Sequence, residues 1–572
     1  MQPEDRVFGE ASALVVAGGA ADFREVPGPD PRRKVYLHGE WLGSDLHARV
    51  AADDLEDGHG RFVVLVHDLQ ANRLVVQNDR YGMASLFRVD AGGRVHLGTR
   101  MKPLLERGLS QRRLDAAGLA DALAFNVPFG SRTLVADVGR LAPGTRLAVD
   151  LAGGAAREER RWSPERVMAS EQVPYESLRE ALVARFLEGF DRCIAGEARV
   201  GITLSGGIDS RCLLAAGLDR GAQLAAFNAS IPGSRSGRYA AQMAARFDVP
   251  YEAHPVGPEF AESYPARLRE VMAVTEGMTF ASEVEARWLS QHVSGPTVML
   301  HGAFGEVSKL FKMLQWRVDG AVLGATRANL ADVVWRRFDP MFRANLALFS
   351  PEIRAATERH AREELGSRID AIDPAFTPAM VMLVLYVEEF VSKITPSSAK
   401  VWNQSLPTRF PFAYPPFVDT LLRVRSEDKM QQRFQMDLLK GLSPELFRFP
   451  DANTGTRVDA PVWLSRLLDL SDKARRVLFA SQTTLDHSDR PTWFTRMRPS
   501  AEELLLSDDA RQVFDPAAVE RAIAHVVGRE GAPGFGPVAA IRHRIARVRT
   551  AVGLEKALLF QLFREHAGLG AP

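Results

Sequence analysis

Cysteine is almost missing from this chain: its 572 residues hold only Cys193 and Cys212. Two thiols cannot make a disulfide framework, nor a zinc centre by themselves. Both lie in apolar, helix-compatible stretches, so buried, unreactive thiols are expected. Long hydrophobic runs are missing too, since no stretch reaches the roughly 20 apolar residues of a membrane span. The opening Met1-Gln2-Pro3-Glu4-Asp5-Arg6 lacks the pattern of a signal peptide. An excess of one charge is also absent. A formal net charge of +1 offers no general attraction to nucleic acid or to a membrane surface. What remains is a globular composition, 46% hydrophobic and 25% charged, long enough for two or more domains with sizeable cores. The expectation is a cytoplasmic enzyme with no membrane span and no nucleic-acid partner.

The chain changes texture near residue 170. Before it, short β-rich runs at 61–68, 73–77 and 86–89 alternate with Gly- and Asp-containing turns. The charged stretch Ala156-Arg157-Glu158-Glu159-Arg160-Arg161, followed by Ser163-Pro164, reads as a linker. From 175 to 193 the apolar period becomes helical.

The most informative stretch follows. Val200-Gly201-Ile202-Thr203-Leu204 reads as a buried strand, Ser205-Gly206-Gly207 as a tight turn, and Ile208-Asp209-Ser210 as a helix start. Such a junction gathers backbone N–H groups and the positive end of a helix dipole around one point, which suits an anion. Gly206 and Gly207 let backbone approach a phosphate closely, Ser205 and Ser210 offer hydroxyl donors, and Asp209 can hold Mg²⁺. A glycine turn with a capping Ser or Asp is common in α/β domains. The full Ser-Gly-Gly-x-Asp-Ser string is much rarer and favours the phosphate reading. It resembles the pyrophosphate loop of ATP pyrophosphatases, which cleave ATP to AMP and pyrophosphate. It lacks the Gly-Lys-Ser/Thr of a Walker loop.

Read together, the two halves resemble the class B asparagine synthetase family. In the first half the resemblance rests on Asp57-Gly58-His59-Gly60-Arg61-Phe62, Asp79-Arg80-Tyr81-Gly82, Gly98-Thr99-Arg100-Met101-Lys102-Pro103-Leu104-Leu105 and Leu141-Ala142-Pro143-Gly144-Thr145. In the second it rests on the phosphate loop, on His301-Gly302-Ala303-Phe304-Gly305-Glu306 and on Arg409-Phe410-Pro411-Phe412. The resemblance implies an α/β chain with a degenerate, N-terminal-nucleophile glutaminase-like α+β sandwich over 1–170. An adenine-nucleotide α-hydrolase-like, parallel-sheet synthetase domain follows over 171–460, and a helical C-terminal extension over 461–572. ATP and Mg²⁺ are the implied cofactors. Leu204, Ser205, Gly206, Gly207, Asp209, Ser210, Phe227, His301 and Gly302 would bind the nucleotide, and Asp209 with Glu306 the metal. Phe227, on the apolar strand 224–230, reads equally well as plain core.

The departures from the family pattern shape the expected function. The family's glutaminase uses a cysteine directly after the initiator Met; here that position is Gln2, and a carboxamide is no nucleophile. The amine must then come from the substrate, as in the family's β-lactam synthetase and lasso-peptide cyclase branches. Gly305-Glu306-Val307-Ser308-Lys309 is similar to the Gly-Gly-Glu-x-x-Arg of lasso cyclases. Ala303 stands where β-lactam synthetases carry tyrosine. The family's catalytic lysine is replaced by Asp451, leaving Lys309, Lys312 or Lys393 to supply that charge. Glu389 matches the family's acidic position on its helix and is expected to be the base, ahead of Glu388; an i, i+4 pair with Lys393 is the alternative. The catalytic set is therefore expected to be Glu389, Glu306, Lys309 and Lys393.

Beyond 460 the resemblance fades into a basic amphipathic pattern, with Arg542, Arg544, Arg547 and Arg549 ahead of an apolar run at 554–563. That pattern reads as a helix packed on the synthetase domain with solvated arginines, or as a dock for an acidic peptide or partner protein. The expected activity is an AMP-forming amide ligase acting on a peptide or small-molecule carboxylate and amine, with a leader-peptide-binding protein and a protease as possible companions. A free-ammonia amide ligase and a non-catalytic scaffold are the alternatives.

Overall fold

A computed structural model describes residues 6–8, 14–17, 22–152, 156–281, 283–452, 455–460, 490–528 and 537–570. Gln2 lies outside the described residues.

In the first part of the chain, alternation sets the fold. The strand Gly60–Asp68 pairs antiparallel with Arg33–Trp41 on one side and with Arg73–Asn78 on the other. Its side chains divide by parity. Val63 and Leu65 join a core with Leu86, Val95 and Leu97, contributed by the second sheet, while Phe62, Val64 and Val66 pack with Leu46 and Leu55. The result is a six-stranded sheet facing a five-stranded one, an α+β sandwich. The charged stretch expected to be a linker is instead the strand Ala156–Arg160, which pairs antiparallel with Thr145–Asp150 at the rim of the larger sheet. Its side chains are almost all exposed, the composition that keeps an edge strand soluble, so composition alone disguised it. Ser163 then caps the short helix Pro164–Met168 by accepting from the Arg166 N–H.

The second part is built on five parallel strands. Val200–Thr203 is central, flanked by Leu224–Ser230 and then Tyr251–Pro255 on one side, and by Val298–Leu300 and then Thr408–Arg409 on the other. Helices cover both faces, so Val200, Ile202 and Leu300 are sealed and the strands read as continuous apolar runs. The chain leaves the central strand toward one edge and later returns to fill the other. The carboxyl end of Val200–Thr203 is therefore a topological switch point, where open α/β sheets form a crevice.

The two parts are bolted together by buried polar groups. Asp419 accepts from Arg80 at 2.6 Å and from the Trp162 indole N–H at 3.0 Å. Arg140 donates to the Ser392 carbonyl at 2.9 Å. The C-terminal helices Arg490–Leu505, Pro516–Val527 and Pro537–Ala567 pack on Pro258–Thr275 and Arg327–Leu346. No helix among the described residues is long and apolar enough to cross a membrane.

Candidate active site

At the switch point, residues 204–207 link the central strand to the helix Ile208–Asp219. Ser210 organises this loop. Its hydroxyl accepts from the Ser205 N–H at 3.1 Å and donates to the Ser205 carbonyl at 3.0 Å, while the Ser205 hydroxyl accepts from the Gly207 N–H at 3.2 Å. Leu204 is sealed beneath the loop, with its carbonyl held by Asn228 Nδ2 at 2.7 Å. Gly206 is required by packing, because a Cβ there would sit 2.5 Å from the Cβ of Ala452. The Ala452 N–H donates to the Gly206 carbonyl at 2.9 Å. Arg211, fully buried, staples the same two segments by donating to the carbonyls of Phe449 and Pro450, each at 2.8 Å, and of Gly206 at 3.2 Å.

The loop after Val298–Leu300 closes on Asp209 from the other side. A Cβ at Gly305 would fall 2.5 Å from Asp209 Oδ1, and one at Gly302 would fall 3.1 Å from the Asp209 Cβ. The glycines let this loop, which carries Glu306 and Lys309, lie against the phosphate loop. Lys309 is buried and donates to Asp209 Oδ2. Gln435, which the sequence did not single out, ties the two loops together: its Nε2 reaches Asp209 Oδ1 at 3.1 Å, the Gly305 carbonyl at 2.8 Å and Ser308 Oγ at 2.5 Å. It is a positioning residue for Asp209. Lone polar residues in a helical pattern carry no sequence signal that would have exposed this role.

Asp209, Glu306, Lys309 and Lys312 open onto one cavity of about 920 Å³. That size accommodates a nucleotide's phosphate end together with part of a second substrate. Burial, reinforced by the charge of Asp209, raises the Glu306 pKa, with Lys309 opposing. Tyr386 points its hydroxyl at Glu306 Oε1, 3.4 Å away. Lys312 bonds Asp451 Oδ2 at 3.2 Å. Among the described residues, no group of three or more His, Cys, Asp or Glu side chains could hold a metal ion. Two carboxylates on one cavity suit Mg²⁺ nonetheless, because that ion takes one or two carboxylates and completes its shell with phosphate and water. Asn228 Oδ1, buried beside this loop with no hydrogen-bond partner among the described residues, is the kind of acceptor that a nucleotide donor would satisfy.

Other expected site residues lie elsewhere. The Phe227 side chain packs with Ala225, Leu289, Met299 and Trp402 in a separate core, so only its carbonyl meets the loop, accepting from the Leu204 N–H at 2.9 Å. His301 does not line the cavity, and neither do Leu204, Ser205, Gly206, Gly207, Ser210 and Gly302; of the expected nucleotide set only Asp209 reaches it. The His301 Nδ1 accepts from the Ala303 N–H at 3.1 Å, and burial lowers its pKa to about 4.

Glu389 and Lys393 also depart from expectation. Tyr386–Val391 is a π-helical turn running into the helix Ser392–Trp402. Tyr386, Phe390 and Ile394, spaced four apart, face the cavity. Glu389 and Lys393 therefore fall on the neighbouring face, toward the first domain. There Glu389 accepts from Lys393 at 2.7 Å and from the Gly130 N–H at 2.8 Å, and it pairs with Arg368 at 3.1 Å. Burial alone would raise its pKa, but Lys393, Arg368 and the Gly130 N–H hold it below the ordinary value. The i, i+4 pair is real, but it is buried and spans the domain boundary. Glu388 is likewise engaged, with Arg160 at 3.1 Å. Both cysteines are buried and free.

A glycine loop at the switch point of a parallel sheet, with Asp209, Glu306, Lys312 and the buried Lys309 on one cavity, defines an α/β domain with a candidate ligand site, joined to a mainly antiparallel α+β sandwich. Comparison with known families agrees on both halves. Residues 182–443 match the asparagine synthase family model, and residues 45–162 match the glutamine amidotransferase domain model. Together the matches support the asparagine synthetase family and an ATP-dependent, amide-forming ligase. No curated protein matches the chain.

Proposed function

We propose that the protein is an AMP-forming amide ligase that activates a carboxylate and closes it with an amine carried on the same substrate, a macrolactam synthetase of the lasso-cyclase kind. The observation that carries this reading is the closure of the Glu306–Lys309 loop onto Asp209 at the mouth of the phosphate loop. Bound Mg²⁺ would neutralise phosphate charge between Asp209 and Glu306. The residues 204–207 would cradle the phosphates at the helix N-terminus. The substrate carboxylate would attack the α-phosphorus with loss of pyrophosphate, and the amine would displace AMP from the acyl carbon.

Lys312 would face the developing phosphate charge, held in place by Asp451. This charge swap supports retained chemistry at a position where the family resemblance would place the lysine itself. Glu389 does not line the cavity, so the amine proton would pass to the departing AMP phosphate, with the Tyr386 phenol, kept protonated by burial, orienting the amine. Tethering amine and carboxylate in one molecule makes ring closure unimolecular. The apolar wall formed by Phe390 and Ile394 limits hydrolysis of the activated acyl group. Having no cysteine before Cys193, the first domain has no thiol for glutamine hydrolysis; its Ala124 and Asn126 instead help wall the cavity.

The test is mass spectrometry of the enzyme with ATP and candidate peptides lacking any free ammonia source. A product lighter than its peptide by one water, formed with one AMP, is expected. Exclusive conversion of aspartate and ammonia to asparagine would replace this reading.

A further inference from the structure

The helix Pro537–Ala567 lies outside both matched ranges, yet it forms one wall of the site cavity. Ile545, Val548, Val552 and Glu555 recur at helical spacing along that wall, with Arg544 and Arg549 beside them. From Arg544 to Lys556 the lining face spans about 18 Å at 1.5 Å per residue. Roughly five or six residues of extended peptide cover the same distance. The wall is fixed in place: Lys556 donates to the Leu123 carbonyl at 2.7 Å, and Glu555 accepts from the Tyr264 hydroxyl.

Leu314 belongs to the same cavity lining. It is 60% exposed and holds a φ of 50°, a left-handed conformation unfavourable for a bulky residue. Arg337 secures that turn by donating to the carbonyls of Gln315 at 3.1 Å and Arg317 at 2.6 Å. Ile545 is 44% exposed. Thus two of the four large apolar side chains found exposed among the described residues line one opening. Arg549 is exposed there as well, with no hydrogen bond or ion pair among the described residues. The acidic group on this face, Glu555, is turned to Tyr264, so the opening presents positive charge beside apolar surface.

We infer that the C-terminal helix is the specificity wall for the acyl substrate, which is an extended anionic peptide with bulky apolar side chains seated against Leu314 and Ile545 and a carboxylate on Arg549. The inference rests on the ligase reading above, since the same peptide would deliver its reacting carboxylate to the phosphate end of the cavity.

The test measures fluorescence anisotropy of labelled hexapeptides with the full-length protein at low salt. The probes are an alternating leucine–glutamate peptide, its leucine–glutamine analogue and its serine–glutamate analogue. The leucine–glutamate peptide should bind best, and Arg549→Glu and Ile545→Ser should each weaken it roughly fivefold or more. Arg542→Glu, exposed on the same helix but outside the cavity, should leave binding unchanged, with circular dichroism reporting intact fold in all variants. Equal binding of the three peptides, unchanged affinity in both cavity variants, or N-acetylglutamate competing as well as unlabelled peptide would overturn the inference. Peptide binding without any ATP–pyrophosphate exchange would instead count against the ligase reading and leave this wall intact.

Discussion

Lys312 and Asp451 form an ion pair at 3.2 Å across the mouth of the phosphate loop, although 139 positions separate them in the chain. Asp451 is almost fully buried, whereas Lys312 opens onto the cavity. The aspartate therefore acts as an anchor and the lysine as the reaching group. Lys312→Met should lower turnover roughly 10²–10³-fold if that cation stabilises charge in the transition state. Asp451→Asn should cost less, since it loosens the lysine without removing it. Steady-state AMP release measures both; an unchanged rate in Lys312→Met would remove it from the chemistry.

Glu306 and Glu389 should separate cleanly by assay. Glu389→Gln strands two cations, Lys393 and Arg368, at a buried domain boundary. Breaking such a network costs about 3–5 kcal/mol. Its chemical denaturation midpoint should drop, while the protein that remains folded exchanges pyrophosphate near the normal rate. Glu306→Gln should do the reverse, leaving stability close to wild type and suppressing exchange. A stable but inactive Glu389→Gln would return that residue to the catalytic set.

His59 gives the protein a pH-dependent stability term. Burial, with Arg192 and Arg409 nearby, lowers its pKa to about 3, so the folded protein holds it neutral. An unfolded chain protonates histidine near pH 6.5 and thus binds the extra proton first. The stabilisation is therefore complete above about pH 6.5 and is lost as pH falls toward 3. Urea unfolding at pH 7 and pH 4.5 should show less loss on acidification for His59→Phe than for wild type. Equal slopes in the two proteins would contradict the assignment.

Glutamine should not serve as a nitrogen donor. Incubation with glutamine should release no glutamate above a heat-killed control, because the chain's two cysteines are both buried and burial drives their thiol pKa values up. Sustained glutamate release by purified protein would contradict the reading of the first domain as a wall rather than a glutaminase.

The fold was legible because local chemistry dictates it, and the sequence singles out Asp209 and Glu306, which the structure places on one cavity. The strand, glycine turn and helix at 200–210 are announced by local composition, and the continuous apolar run at 62–66 announces a strand buried on both faces. The edge strand Ala156–Arg160 was not legible, because exposed charges make an edge strand look like a linker. Glu389 was expected on the cavity, but the face that Tyr386, Phe390 and Ile394 present there excludes it, and composition does not say which face of a helix sealed on nearly every side meets the cavity. Gln435 and Arg211 were invisible for a different reason, since each acts across more than 100 positions of sequence, whereas the basic C-terminal helix was legible and only its place on the cavity was not.

The central claim is that residues 204–210 and Asp209 in particular carry an AMP-forming activation. It is tested most directly by exchange of labelled pyrophosphate into ATP, driven by a panel of carboxylate peptides, in wild type, Ser205→Ala and Asp209→Ala. Wild type should exchange label with AMP as the nucleotide product, and both variants should lose exchange. Ser205→Ala, at an exposed loop position, should melt close to wild type, while Asp209→Ala, which strands the buried Lys309, should melt lower yet stay folded by circular dichroism. Near-normal exchange in Asp209→Ala, or ADP and phosphate as the wild-type products, would contradict the account.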